Sequence, residues 1–212
     1  MIIKNKGLKI VSLVACATAL PMAVQATNGI NLNGYGAKSA AMGGVGIGGT
    51  VDAVTASVMN PAAASFTEDR FDGGLLILNP QRRAVCCNAP DGIVSDKAWF
   101  FIPNMGITYK YSDDITFAGS FVGKGGGRTE YKNNFFDASD DGVLGIELAI
   151  GEMTGAISYK IQSNQSIGLG VVVAMQRFRA KGLDAFRTFS ADPNFVTDKG
   201  FDWSYGAGVR LG

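Results

Sequence analysis

The strongest constraint on the fold is a set of segments in which apolar residues alternate with small or polar ones. Four of these segments form two pairs around short polar turns, 105–111 with 115–122 and 153–161 with 167–175. Period-two alternation predicts β-strands with one apolar face, and short turns predict antiparallel hairpins. Segment 201–211 follows the same pattern, and 71–78 follows it less well. The sequence therefore predicts about six antiparallel strands.

The spacing of these strands indicates a membrane barrel. Short turns alternate with long segments, at 79–104, 124–152 and 179–200. Short periplasmic turns, long outer loops and strands that are apolar outside and polar inside are typical of outer-membrane barrels. Charged residues form 17% of the chain, against about 25% in soluble domains, which favours the barrel over a soluble β-sandwich. We predict an all-β fold, a transmembrane antiparallel β-barrel.

The first residues have the features of an export signal. Three lysines precede the apolar run 10–20, and small residues at 24 and 26 suit a signal peptidase. We expect a signal peptide over 1–26, with cleavage between Ala26 and Thr27. A lipoprotein-like box that ends at Cys16 is the alternative, but the apolar run continues past it. Export with this strand pattern places the chain in the outer membrane of a Gram-negative bacterium.

The segment after the signal is predicted to fill the barrel. Glycine, alanine, serine and threonine dominate the inward positions of the strands, which leaves space in the lumen. Segment 27–66 is rich in glycine, poor in charge and contains Asn60-Pro61-Ala62. We expect 27–66 to form a hatch of short helices and loops, and 67–212 to form the first part of the barrel.

Residue types that are missing exclude several chemistries. The chain has no histidine, which removes Ser-His-Asp and Cys-His catalysis and His-ligated zinc. Cys86 and Cys87 are adjacent and could form a vicinal disulfide or pair between chains, but two loop thiols without a catalytic role are favoured. A net charge of +1 leaves no basic surface for nucleic acid. We predict no enzyme activity, no cofactor and no metal site.

Several short motifs, in order along the chain, carry a resemblance to a known family. They are Asn28 to Gly36, Met42-Gly43-Gly44, Asn60-Pro61-Ala62, Ile146-Glu147-Leu148, Ser158-Tyr159-Lys160, Gln176 to Leu183, and Ser204 to Arg210. The chain resembles the outer-membrane long-chain fatty-acid and hydrocarbon transporters of the FadL and TodX type. This resemblance implies a 14-stranded monomeric barrel closed by an N-terminal hatch, with ligand captured between outer loops and released sideways through the wall. Since about six strands are present, we expect an N-terminal fragment.

Apolar residues in the predicted outer loops are the candidate ligand contacts. Loop 124–152 is unusually apolar, and helical spacing of Val143, Leu144, Glu147 and Ile150 favours a loop helix with a capture groove. The alternative is that these side chains pack only against neighbouring loops. The candidates are Phe100, Phe101, Phe135, Phe136, Leu144, Ile146, Leu148 and Ile150.

Two further sets of residues complete the prediction. Arg177, Arg179 and Lys181 are possible counter-charges for a fatty-acid carboxylate. The alternatives are contact with lipopolysaccharide phosphates or solvated side chains, and solvation is favoured for Arg179 and Lys181. Asn60, Pro61 and Ala62 are the candidates for hatch gating.

The predicted function is passive transport of long-chain fatty acids or other hydrophobic compounds. The expected partners are these compounds and outer-membrane lipid, including lipopolysaccharide, without nucleic acid. The alternatives are a general porin, a small structural or adhesive barrel and a lipid-modifying enzyme. A porin should have rings of charge in its lumen, whereas the inward positions here are mostly small and uncharged.

Overall fold

The computed structural model describes residues 31–49, 52–86, 89–136, 142–182 and 202–212. The predicted signal peptide and its cleavage site at Ala26 and Thr27 lie outside these ranges. The strands are β1 (Arg70–Leu78), β2 (Arg83–Cys86), β3 (Ala89–Val94), β4 (Phe100–Lys110), β5 (Ile115–Tyr131), β6 (Leu144–Gln162), β7 (Gln165–Lys181) and β8 (Asp202–Leu211). In the described part of the chain, no helix is long and apolar enough to cross a membrane.

Six of the strands form one antiparallel sheet in the order β1-β4-β5-β6-β7-β8, and β2 pairs with β3 in a separate hairpin. The two predicted hairpins are confirmed as β4–β5 and β6–β7. The remaining predicted strands are confirmed as β1 and β8. The sheet is a partial barrel wall.

The strands extend further into the predicted loops than the alternation indicated. β5 continues to Tyr131 and β6 begins at Leu144, so most of the predicted loop 124–152 is strand. The predicted loop helix is therefore wrong. Residues 145–150 pair with β5 on one side and with β7 on the other, and these two ladders satisfy their backbone hydrogen-bonding groups. Their apolar residues also alternate with period two, which the helical spacing had concealed.

The sheet has one apolar outward face and one face covered by the chain's N-terminal part. Outward side chains with large exposed fractions include Ile107, Phe117, Ile157, Tyr159, Leu169 and Val171. Their strand neighbours on the other face are small and buried, as at Thr108, Ala118, Ala156 and Ser158. This is the arrangement of a barrel wall with lipid outside.

Three short helices of the described residues precede β1 and lie against the inner face. They are α1 (Ala37–Ala41), α2 (Ala53–Val58) and a 3₁₀ helix (Pro61–Phe66). Asp52 caps α2 by accepting the Thr55 backbone N–H at 2.9 Å, and Thr55 returns a capping-box bond. Every residue of α2 is buried, so the main core lies between these helices and the sheet.

Two inward glycines allow the helices to approach the wall closely. A Cβ on Gly106 would lie 2.5 Å from the backbone nitrogen of Val54, and a Cβ on Gly168 would overlap the backbone of Pro61 and Ala62. Hydrogen bonds then hold the contact, because Ser158 and Ser166 both donate to the Ala62 carbonyl at 2.8 Å.

The β2–β3 hairpin corrects one prediction about the cysteines. Cys86 is disulfide-bonded, so the favoured interpretation of two free loop thiols is wrong for this residue. Cys87 lies outside the described residues.

Candidate functional site

The hydrogen bonding between β4 and β5 stops part of the way along the two strands. Their ladder runs from Lys110–Thr116 to Asn104–Val122, and within the described residues it goes no further although both strands continue. Beyond this point residues 100–103 of β4 pair only with β1, and β5 continues its ladder with β6. The described wall therefore has a gap in its hydrogen bonding at this point.

A run of glycines in β5 causes the separation. The β5–β6 register shifts between Gly123 and Gly125, which leaves Lys124 in a bulge. Gly126 has φ 139°, a backbone conformation that L side chains rarely adopt. Bulges of this type bend a strand and increase its twist, and so turn β5 away from β4.

The N-terminal segment occupies the β5 edge that β4 leaves. Asn31 forms an antiparallel bridge with Gly125, and the Leu32 backbone N–H donates to the Lys124 carbonyl at 3.2 Å. A strand edge inside a membrane needs such partners, because its polar groups have no water to bind.

A cavity of about 350 Å³ lies on the inner side of the opening. It is bounded by the N-terminal segment and by the inner sides of β1, β4 and β5. Its apolar lining includes Leu32, Tyr35, Ala40, Leu76 and Ile102. A mostly apolar cavity with few polar groups suits a hydrophobic ligand.

A second cavity, a groove of about 270 Å³, lies on the outward side of the same opening. Phe101, Phe121, Met175 and Trp203 line it. Ile102 and Gly123 line both the inner cavity and this groove. A Cβ built on Gly123 would overlap the Ile102 side chain, so Ile102 fills the space that separates the two.

A buried ion cluster supports the bulge from the lumen. Glu152 of β6 is 1% exposed and pairs with Lys124, the bulged residue, and with Arg210, whose Nη2 lies 3.0 Å from Oε1. Arg210 also donates to the Ser57 carbonyl at 3.3 Å. The cluster therefore connects the bulge, β8 and α2 through one carboxylate.

Tyr35 lies between this cluster and the inner cavity. Burial raises the pKa of its phenol, the Glu152 carboxylate raises it further, and Arg210 opposes the change. Tyr35 thus stays neutral at physiological pH and presents a ring rather than a charge to the cavity.

The predicted phenylalanines occupy different environments. Phe101 is 63% exposed and lines the outward groove, whereas the Phe100 ring lies 4.8 Å from the Arg82 guanidinium carbon. Phe135 is buried against Phe136, with ring centroids 4.7 Å apart. The packing of Phe135 fits the alternative in which loop side chains contact one another.

The remaining predicted contacts belong to β6 and β7. By strand alternation, Leu144, Ile146, Leu148 and Ile150 share the inward face of β6 with Glu152. Ile150 also reaches the groove at the opening. Arg177 lies on the outward face, paired with Glu147 and 5.8 Å from the Trp203 ring, away from the inner cavity.

The predicted gating residues form the turn into the 3₁₀ helix. The Asn60 side-chain oxygen accepts the Ala62 N–H at 3.1 Å, and its amide donates to the Ile47 carbonyl at 2.7 Å. Pro61 occupies the first helical turn, where its missing N–H costs no hydrogen bond. This turn contacts β7 at Gly168.

The sequence interpretation missed the residues at the opening itself. Lys124 and Glu152 had no assigned role, and Arg210 appeared only as the last residue of the Ser204 to Arg210 motif. One signal was available, since a glycine run inside a strand marks a bulge or a close approach of backbone. Segment 123–127 contains four glycines, but the pairing of Lys124 with Glu152 depends on tertiary contacts.

A membrane-spanning antiparallel sheet with a plug on its inner face and an opening in its wall defines a plugged outer-membrane barrel. The family model for the outer membrane protein transport protein (OMPP1/FadL/TodX) matches residues 14–206. The chain belongs to this family. Its members are transporters and not enzymes, as predicted.

Two solved structures are similar to this chain, and the first of them agrees on the fold. The P. putida toluene transporter TodX is 18% identical, with a TM-score of 0.61, and the match covers 85% of this chain and 52% of that one. A Pseudomonas aeruginosa FadL homologue is 17% identical, with a TM-score of 0.48 over 86% of this chain and 46% of that one. No curated protein matches the chain. The chain spans about half the length of the solved structures that it matches.

Proposed function

We propose that the protein containing this chain carries hydrophobic compounds passively across the outer membrane and releases them sideways between β4 and β5. Long-chain fatty acids and small hydrocarbons are the candidate substrates, and the toluene carried by the matched P. putida transporter belongs to the second class. No energy source is required, because the concentration gradient and later consumption drive the flux.

The observation that carries this proposal is the shared lining of the two cavities. Ile102 and Gly123 contact both the inner cavity and the outward groove, at the point where the β4–β5 ladder ends. The Ile102 side chain and Gly123 border both spaces, so they stand between a hydrophobic molecule in the inner cavity and the lipid-facing groove. An apolar path this short lets the molecule reach lipid without crossing water, at about 0.8 kcal/mol for each CH₂ kept buried.

Capture and gating complete the route. We propose that Phe100, Phe101, Phe135, Phe136 and the inward apolar row of β6 collect the compound on the outer side. The hatch, residues 27–66, then gates passage through its turn at Asn60, Pro61 and Ala62. We also propose that residues 1–26 are removed on export and that one full-length chain forms a monomeric barrel surrounded by outer-membrane lipid, including lipopolysaccharide.

A disulfide across the opening tests the route. A Cβ at position 123 would lie 3.7 Å from the Ile102 Cβ, and disulfides need about 3.5–4.5 Å. The double variant Ile102→Cys/Gly123→Cys is made in full-length protein in which Cys86 and Cys87 are serine. We expect uptake of labelled oleate or toluene to fall to near background when oxidised and to recover with reductant.

The matched control places a disulfide between the same two strands, nearer to their short connecting turn. Ile107 and Gly119 are cross-strand neighbours in the β4–β5 ladder, so Ile107→Cys/Gly119→Cys joins the strands where they are already paired. This control should transport equally well with and without reductant. Full uptake by the oxidised 102–123 variant, with its disulfide verified by mass, would disprove lateral release at this opening.

A further inference from the structure

The outward face of β7 changes from apolar to positively charged residues at one point along the strand. Its outward positions 167, 169, 171, 173 and 175 are apolar, and the next three in the same row are Arg177, Arg179 and Lys181. The β6–β7 register is continuous through this stretch, so no bulge moves the three cations to the other face. Arg179 and Lys181 are partly buried and partly exposed.

The position of this change matches the edge of the membrane. The ten residue-to-residue steps from 167 to 177 span about 33 Å along the strand, and a tilt of about 40° reduces this to about 25 Å, the height of the apolar band of a barrel. The short β6–β7 turn marks the periplasmic end. Arg177, Arg179 and Lys181 therefore lie at the level of the outer-leaflet headgroups.

Neighbouring strands extend these residues into a charged patch. Arg128 of β5 lies 3.2 Å from Glu147 and 2.9 Å from Glu130, and Glu147 also pairs with Arg177. Arg179 and Lys181 line the same depression as Arg128, Glu130 and Glu147. Four cations and two carboxylates give this outward basic patch a net charge of +2.

The carboxylates hold the cationic side chains of the patch in place and do not neutralise its positive charge. Glu147 is 8% exposed beneath the arginines, so it fixes the guanidinium groups of Arg128 and Arg177 in place. Trp203, with its ring 5.8 Å from the Arg177 guanidinium carbon, holds Arg177 from the β8 side. Arginines fixed in this way lose little side-chain entropy when they bind an anion.

We propose that the outward basic patch binds the phosphate groups of lipid A, the phosphorylated glycolipid of lipopolysaccharide. Arginine forks form paired, charge-assisted hydrogen bonds with phosphate oxygens, and the net charge of +2 complements the two phosphates. The acyl chains of the same molecule lie along the apolar row of β7 directly below. Arg177 and Trp203 also line the outward groove, so the patch adjoins the outward side of the β4–β5 opening. Bound lipid A therefore anchors the barrel in its lipid beside that opening.

Binding of defined lipids to the purified full-length protein tests the proposal. Native mass spectrometry measures the occupancy of bisphosphorylated lipid A, dephosphorylated lipid A and phosphatidylglycerol. We expect bisphosphorylated lipid A to bind best. Arg177→Ala/Arg179→Ala should weaken its binding by about tenfold or more, since each charged hydrogen bond contributes more than 1.4 kcal/mol.

The control removes the same charge from the other end of the wall. Lys110→Ala/Lys160→Ala deletes two cations beside the short turns and should leave lipid A binding unchanged. Heat-modifiable migration of each variant checks that the barrel has folded. Equal binding of dephosphorylated lipid A or phosphatidylglycerol, or unchanged binding by folded Arg177→Ala/Arg179→Ala, would overturn the assignment.

Discussion

Replacement of Glu152 by glutamine should release the N-terminal segment from the opening. The Glu152 carboxylate is 1% exposed and holds Lys124 and Arg210, whose side chains are 28% and 23% exposed. Glutamine keeps the shape but loses both charge-assisted bonds. Each charge-assisted hydrogen bond contributes at least about 1.5 kcal/mol of stability. Because Lys124 and Arg210 regain some contact with water, we expect a net loss of about 2 kcal/mol of stabilisation.

The loss of this stabilisation weakens the pairing between the N-terminal segment and the bulge. Lys124 presents its carbonyl to the Leu32 N–H, so a mobile Lys124 weakens that contact. A change of about 2 kcal/mol corresponds to an increase of about thirtyfold in the released population. Transport should become faster, because the segment no longer covers the edge of β5.

Cysteine labelling measures the released population. Leu32→Cys is placed in the full-length protein without Cys86 and Cys87, and its reaction rate with a polar maleimide is followed in proteoliposomes. The rate should rise by about thirtyfold with Glu152→Gln and should also rise with Lys124→Ala. Asp113→Asn, which removes a carboxylate from the exposed β4–β5 turn, is the control. Equal labelling rates in Glu152→Gln and the parent would refute the link between the ion cluster and the segment.

Three further predictions concern the hatch and the capture surface. Gly168→Val should displace the hatch, since the valine side chain would overlap the Ala62 backbone. We expect cells with this variant to become more sensitive to antibiotics while the barrel keeps its heat-modifiable migration. Unchanged sensitivity would contradict the close contact. Asn60→Ala removes a helix cap and should cost about 1 kcal/mol and alter oleate uptake, so normal uptake at equal surface expression counts against gating there. Leu148→Asp should weaken binding of a fluorescent fatty acid in a barrel of normal migration, and binding equal to the parent would exclude Leu148 from capture.

Much of the wall could be predicted because its physical signal is local. A strand with lipid on one face and a plug on the other must alternate apolar and small residues, and this pattern is readable at 105–111 or 167–175 without knowledge of neighbours. The prediction of a helix in loop 124–152 was wrong because it also relied on local spacing alone. Spacing within 143–150 is ambiguous over so few residues, and the pairing of β6 with two neighbours decided in favour of strand.

The opening could not be predicted, because it depends on residues distant in sequence. Lys124 and Glu152 become partners only through the shifted β5–β6 register, and Ile102 meets Gly123 only where two strands cease to pair. Arg177 continues the alternation of 167–175, but only the structure showed that β7 reaches Lys181 without a bulge that would change the face.

The sequence by itself determined the class of fold, since alternation, short turns, scarce charge and inward glycine are properties of each strand alone. The tertiary structure decided where the wall opens, which cations face the lumen and which face the lipid. The reason is that strand periodicity specifies the two faces only relative to each other. Bulge position, register and contact with the plug determine which face is inside and where the ladder ends.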